Sequence, residues 1–193
     1  WFVLVYGTCD WITSLHDYRL QMSLSWERRI PFYPSASLVY MSIYPLFLLI
    51  PFVLRTRHEL NRLGAALGLL IGLAGIGFLL LPSKPIPHSH AEGKWVWLFQ
   101  IADTMNLTYN DLPSLHVGLT VACVSAMCRR TAPGASLVLW CWAAAVAVST
   151  LLMHEHYFID VLAGWCLGVI CVRICFSRGP ADLTPAEGTA ASE

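Results

Sequence analysis

The sequence predicts an all-α, polytopic membrane bundle of six spans, the first only partly present, and three observations predict it. Of 193 residues, 56% are hydrophobic and 12% are charged, against about 25% charged in a typical soluble domain. Residues 30–54, 63–83 and 131–153 contain no Asp, Glu, Lys or Arg, and each is long enough for the roughly 20 residues that cross a bilayer as a helix. The remaining polar groups gather at the ends of such stretches.

Residues 1–7 (WFVLVYG) read as the end of an apolar helix, the partial first span. In residues 10–30 the apolar positions Trp11, Leu15, Tyr18, Met22 and Trp26 step at helical spacing. They fit either an aromatic-rich helix lying among the headgroups or a polar loop. Residues 30–54 form the second span, 55–62 a short basic turn and 63–83 the third span. Residues 83–111 are the longest loop, ending after a Trp-rich stretch at Trp95 and Trp97. The fourth span, 112–128, is shorter and interrupted by His116. After the turn at 129–134, residues 131–153 make the fifth span. Residues 157–176 make the sixth, with Asp160 near its start and Arg173 placed to snorkel near its end. Residues 1–178 form one transmembrane domain, and 179–193, rich in Ala, Gly, Pro and Glu, form a disordered cytoplasmic tail.

Six cysteines (Cys123, Cys128, Cys141, Cys166, Cys171, Cys175) fall inside spans, where cysteine behaves as a small apolar residue. Cys9 alone is expected to be exposed, so no disulfide framework follows. Twelve basic residues balance twelve acidic ones, which excludes a nucleic-acid binder because phosphate neutralisation needs a cationic excess. The partner is the bilayer. Alternating spans put Arg55, Arg57, Arg62, Arg129, Arg130, Arg173 and Arg178 on one side, against Arg19, Arg28, Arg29, Lys84 and Lys94 on the other. The positive-inside rule makes the first side cytoplasmic.

On that topology His116, at the start of the fourth span, shares a membrane face with Ser149, Thr150, His154, Glu155, His156 and Asp160. Ionisable groups converging at span ends mark a functional site. His156 and Asp160 are four apart, so on a helix they share a face and can hydrogen-bond, fixing the imidazole tautomer and leaving the other nitrogen free to attack. His154 lies two residues from His156 and on a helix points away. Pro113 suits a first helical turn, whose free N–H groups with the Ser114 hydroxyl make an anion pocket. An anion cradle, an oriented nucleophilic base and a second histidine suit phosphoryl transfer.

Residues 113–116 (PSLH) resemble the second signature of the type 2 phosphatidic acid phosphatase (PAP2) superfamily, and Ser149-Thr150-x5-His156-x3-Asp160 resembles its third. The surrounding words IPFYPSASLVYMSIYPLF and HEHYFIDVLAG are most similar to the bacterial branch related to inositol phosphorylceramide synthases. The resemblance covers residues 30–175. It implies a six-helix bundle, no cofactor or metal, and a lipid phosphate or phospholipid substrate. It further implies a phosphohistidine on His156, with Asp160 orienting it and His116 as the acid. Ser114, Leu115, Ser149 and Thr150 then fall at phosphate-binding positions, and the protein lies in the inner membrane with its site facing the periplasm or exterior. The first signature, Lys-x6-Arg-Pro, is absent, and Thr150 stands where many members carry Arg. Thr can hydrogen-bond a phosphate but not neutralise it; Lys84, Lys94, Arg28 and Arg29 are the candidate clamps. Two readings compete: a zinc site built from His88 and His90 or from His154, Glu155 and His156, and a bundle that has lost catalysis.

Overall fold

The computed structural model describes residues 1–84, 86 and 91–177. The tail from Arg178 and the pair His88 and His90 lie outside the described residues. The described chain is all-helical: α1 (Phe2–Ser14), α2 (Ser37–Tyr40), α3 (Ile43–Val53), α4 (Arg57–Leu80), α5 (Val96–Met105), α6 (Leu115–Met127), α7 (Pro133–Leu152) and α8 (Phe158–Ser177). Among the described residues four stretches are long and apolar enough to cross a membrane: Pro34–Val53, which joins a 3-10 turn to α2 and α3, then α4, α7 and α8.

Helix α6 is shorter because it is central. Almost every residue from Leu115 to Met127 is buried, and α3, α4, α7 and α8 all pack on it. A helix that meets other helices rather than lipid need not match the bilayer thickness. Its tightest neighbour is α8, and glycine makes that contact possible. A Cβ on Gly164 would collide with the Ser114 carbonyl oxygen, and one on Gly168 would sit 2.5 Å from the Gly118 carbonyl oxygen. Small residues let helix backbones approach in this way. Gly164→Val should therefore destabilise the bundle by about 1–3 kcal/mol or more through overpacking. Gly134→Ala, which meets nothing within 4 Å, should be neutral. Thermal unfolding in detergent checks both.

One alternative is decided and two expectations are corrected. Of the two readings of residues 10–30, the structure follows the loop beyond Ser14, with a single 3-10 turn at Glu27–Arg29. Helix α1 runs to Ser14, where the Arg19 guanidinium donates to the Thr13 carbonyl at 3.0 Å and the His16 carbonyl at 2.7 Å, closing the helix end. Leu20 then pairs with the third-span end, its N–H donating to the Pro82 carbonyl at 2.8 Å and its carbonyl accepting from Lys84 N–H at 3.0 Å. Cys9 is buried rather than exposed, because the longer α1 seats it against Gly75 of α4, whose carbonyl accepts from its thiol. Residues 83–111 are not all loop: α5 buries Phe99 and Ala102, with Phe99 edge-on to Phe32 at 5.3 Å.

Candidate active site

Buried polar side chains gather at one end of the bundle, where α7 ends and α6 and α8 begin: Asn110, Asp111, Ser114, Ser149, Thr150, Glu155 and Asp160. His156 lies in the α7–α8 turn, just before α8. Asp160 is in the first turn of α8, and its Oδ2 accepts the Tyr157 N–H at 2.8 Å, a favourable place for a carboxylate. The same oxygen is 3.9 Å from His156 Nδ1, with the side chains 0% and 9% exposed. That is ion-pair distance, too long for a hydrogen bond. Neither His156 Nδ1 nor Asp160 Oδ1 has a hydrogen-bond partner among the described residues. The four-residue spacing thus works across a helix start and not along a helix face.

His116 is the second residue of α6. Its Nε2 is 2.7 Å from the Tyr40 carbonyl oxygen, which can only accept, so Nε2 carries a proton and Nδ1 is the nitrogen left for chemistry. The ring stacks on Tyr40 at 3.7 Å and 12°.

His156 lines three cavities of different character. The first, about 330 Å³, is of mixed character, with Gln21, Glu27, Arg28 and His154 beside the apolar Ile30, Ile86 and Leu151 in its wall. The second, about 350 Å³, holds His116 and is otherwise mostly apolar, with Ile43, Phe47, Leu67, Ile71 and Leu119. The third, about 270 Å³, is acidic, with Asp103, Asp111 and Glu155 beside Asn106 and Thr108.

Arg28 reaches the first cavity because the 24–33 segment is strapped to the α7–α8 turn. Glu27 accepts the Phe158 N–H, Trp26 packs edge-on to Phe158 at 5.4 Å, and the Tyr33 N–H donates to the Leu152 carbonyl at 2.8 Å. His154 Nε2 donates to the Ile30 carbonyl at 3.1 Å. His154 has a φ of 57°, an uncommon conformation for a residue other than glycine. It faces the same cavity as His156. The expectation that the two diverge assumed a helix where the chain makes a turn.

Lys84 and Lys94 are exposed and line none of these three cavities. Nor do Ser149 and Thr150, whose hydroxyls donate to the Val146 and Ala147 carbonyls at 2.6 and 2.8 Å within α7. Ser114 is the N-cap of α6, its hydroxyl accepting the Val117 N–H at 3.4 Å, so Pro113 precedes the cap and is not in the first turn. The Ser114 N–H donates to the Asp160 carbonyl at 3.0 Å, tying the two signatures together. Leu115 lines the apolar cavity. Among the described residues no three His, Cys, Asp or Glu side chains converge as a metal site.

Residues 21–174 match the sequence profile of the PAP2 superfamily. The chain belongs to the PAP2 superfamily. The crystal structure of Aquifex aeolicus LpxE shares its fold, with a TM-score of 0.56 at 19% identity, covering 92% of this chain and 93% of that one. No curated protein matches the chain. As a PAP2 member it is an integral membrane protein with a membrane lipid phosphatase fold.

In this PAP2 chain the charges around His156 set its titration. Burial disfavours the imidazolium, but Asp160, Asp111 and Glu155 outweigh burial and hold its pKa above the ordinary value. Asp111, 8% exposed, is pushed up to about 7 by burial, against the pull of His156 and with added repulsion from Asp160, Glu155 and Asp10. If neutral His156 is the reacting form, kcat/KM should rise with pH through a pKa above the usual His value of about 6.5. Asp111→Asn removes a negative charge that favours the imidazolium, so it should move that acid limb to lower pH. A pH–rate profile of both proteins reads the shift; an unmoved limb would detach Asp111 from His156.

Two residues of the candidate site carry little signal in the sequence. Arg28 was one of four equivalent cations, and Asp111 stood beside the PSLH word without a partner at any diagnostic spacing. Their one signal was charge in an otherwise apolar chain.

Proposed function

We propose that this PAP2 protein is a lipid phosphate phosphatase or phosphotransferase acting through a phosphohistidine on His156. The observation that carries it is the meeting of three cavities at that one side chain: one that holds Arg28 and His154, one mostly apolar and one acidic. The substrate's phosphate sits against Arg28 and His154, and its acyl portion lies in the apolar cavity beside His116. The acidic cavity repels phosphate and admits water or an alcohol.

His156 Nδ1 faces Asp160, so Nε2 attacks phosphorus. The P–N bond forms, the P–O bond to the lipid breaks, and His116 gives the leaving oxygen a proton from Nδ1. His116 then takes a proton from water or an alcohol, whose oxygen bonds to phosphorus as the P–N bond breaks. Water makes the protein a phosphatase and an alcohol makes it a transferase; hydrolysis is the expected activity without added acceptor. No step calls on a metal ion.

The test is purified protein in neutral detergent with phosphate-labelled phosphatidic acid and a panel of other lipid phosphates, with and without glycerol and EDTA. Phosphate release that survives EDTA, with an acid-labile, base-stable phosphoenzyme on quenching, is expected. Loss of activity in EDTA restored by Zn²⁺, or turnover without a phosphoenzyme, would overturn the mechanism. A labelled glycerol phosphate would place the protein among transferases. The His156 end is assigned to the extracytoplasmic face. Cysteines at position 94 should therefore react with an impermeant thiol reagent in intact cells, and cysteines at position 129 should not.

A further inference from the structure

The far end of the bundle carries a cluster that the chemistry at His156 does not use. A cavity of about 530 Å³ there is lined by His58, Glu59, Arg62, Arg129, Arg130 and Phe176. The arginines come from two separate parts of the chain, α4 and the α6–α7 turn, and Phe176 from α8 organises two of them. Arg62 Nη1 donates to the Phe176 carbonyl at 3.5 Å, and the Arg129 guanidinium lies over the Phe176 ring, 5.2 Å from its centroid, a cation–π arrangement. Glu59, the one carboxylate among the described residues of this wall, is taken by Arg130 and Thr56. Arg129 has no carboxylate partner among the described residues. An adjoining cavity of about 510 Å³ shares Glu59 and Arg130 and adds the apolar Phe52 and Val53.

We propose that this cleft binds the phosphodiester headgroup of an anionic phospholipid. Arg129, with no carboxylate partner among the described residues, stands beside the paired Arg130 and Glu59 and favours an anion, and planar guanidiniums match phosphate oxygens. The cleft sits where α4 begins and α6 and α8 end, which is headgroup depth for helices that cross the bilayer. Basic pockets between spans on one membrane face suit such headgroups, and the apolar wall beside the arginines takes the glycerol and first acyl carbons. A bound lipid links α4, the α6–α7 turn and α8. The headgroup and free phosphate share the same chemistry, and the test separates them.

The full chain in neutral detergent is titrated with phosphatidylglycerol, phosphatidylcholine or sodium phosphate while the thermal unfolding midpoint is followed. Phosphatidylglycerol should raise the midpoint saturably and the other two should not. Arg129→Gln should weaken the apparent affinity about fivefold or more, given the usual contribution of one basic residue at an anionic surface. Arg57→Gln removes the same charge from the same end but lines neither cavity, and it should bind as the parent does. Arg129→Lys, which keeps the charge and loses the planar stack, serves if the glutamine variant does not fold, and should bind more weakly than the parent. Equal weakening in the Arg129 and Arg57 variants would show diffuse surface attraction and overturn the site. So would equal stabilisation by phosphate, or none by phosphatidylglycerol.

Discussion

Replacing His156 by alanine should abolish turnover on lipid phosphates while leaving a folded, monodisperse protein in detergent. The side chain sits in a turn between two helices, and its Nδ1 has no hydrogen-bond partner to lose among the described residues. Asp160→Asn should lower kcat by about 10³–10⁴-fold, as in other His–carboxylate pairs whose carboxylate orients and stabilises the imidazolium. Asparagine keeps an oxygen to accept the Tyr157 N–H, so the start of α8 survives and the loss reads on chemistry. The check is kcat with phosphatidic acid beside the unfolding midpoint. Near-normal turnover by His156→Ala would remove the phosphohistidine from the mechanism. A drop in midpoint matching the drop in rate for Asp160→Asn would make that carboxylate a helix cap alone.

Arg28→Gln should cost about 10²–10³-fold in kcat/KM, the usual effect of losing one group that stabilises charge developing in a transition state. Lys84→Ala and Lys94→Ala should stay within about twofold, because surface charges distant from the reacting atoms are screened by water and salt. All three substitutions remove one positive charge from the same side of the bundle, so a general field effect would lower the three alike. Equal losses would return the clamp to unspecific electrostatics. Arg28→Lys should recover part of the activity by restoring charge without the planar fork.

Much of this protein was legible in one dimension. Apolar runs without a single charge can be stable only in lipid or against other apolar helices, so the stretches 30–54, 63–83 and 131–153 declared a bundle from composition alone. The PSLH word and the Ser149–Asp160 word point to the candidate histidines and carboxylate because those residues fall at short, local spacing. Residues 10–30 fit both a surface helix and a loop because periodicity records spacing and not competition. Arg19 closing α1 and Leu20 pairing with the third-span end decide for the loop. Helix α5 was hidden for a related reason: ten residues between a proline-rich stretch and a polar loop carry too little apolar pattern to stand out until Phe32 packs on Phe99.

What the sequence by itself determined is the solvent of this protein, its helical class and the residue types of its candidate site, since each follows from composition or from spacing within about one helical turn. What only the tertiary structure decided is which distant groups meet. Arg28 stands beside His156 because Glu27 and Trp26 hold the start of α8, and His154 joins them because the chain turns there instead of continuing as a helix. Asp111 and Arg129 likewise gain their surroundings from loops folded against other helices. The physical reason is that charge acts through space. Four cations on one side of a bundle are equivalent in sequence, and Arg28 parts from Lys84 and Lys94 only when packing puts it in the wall of a cavity that His156 also lines.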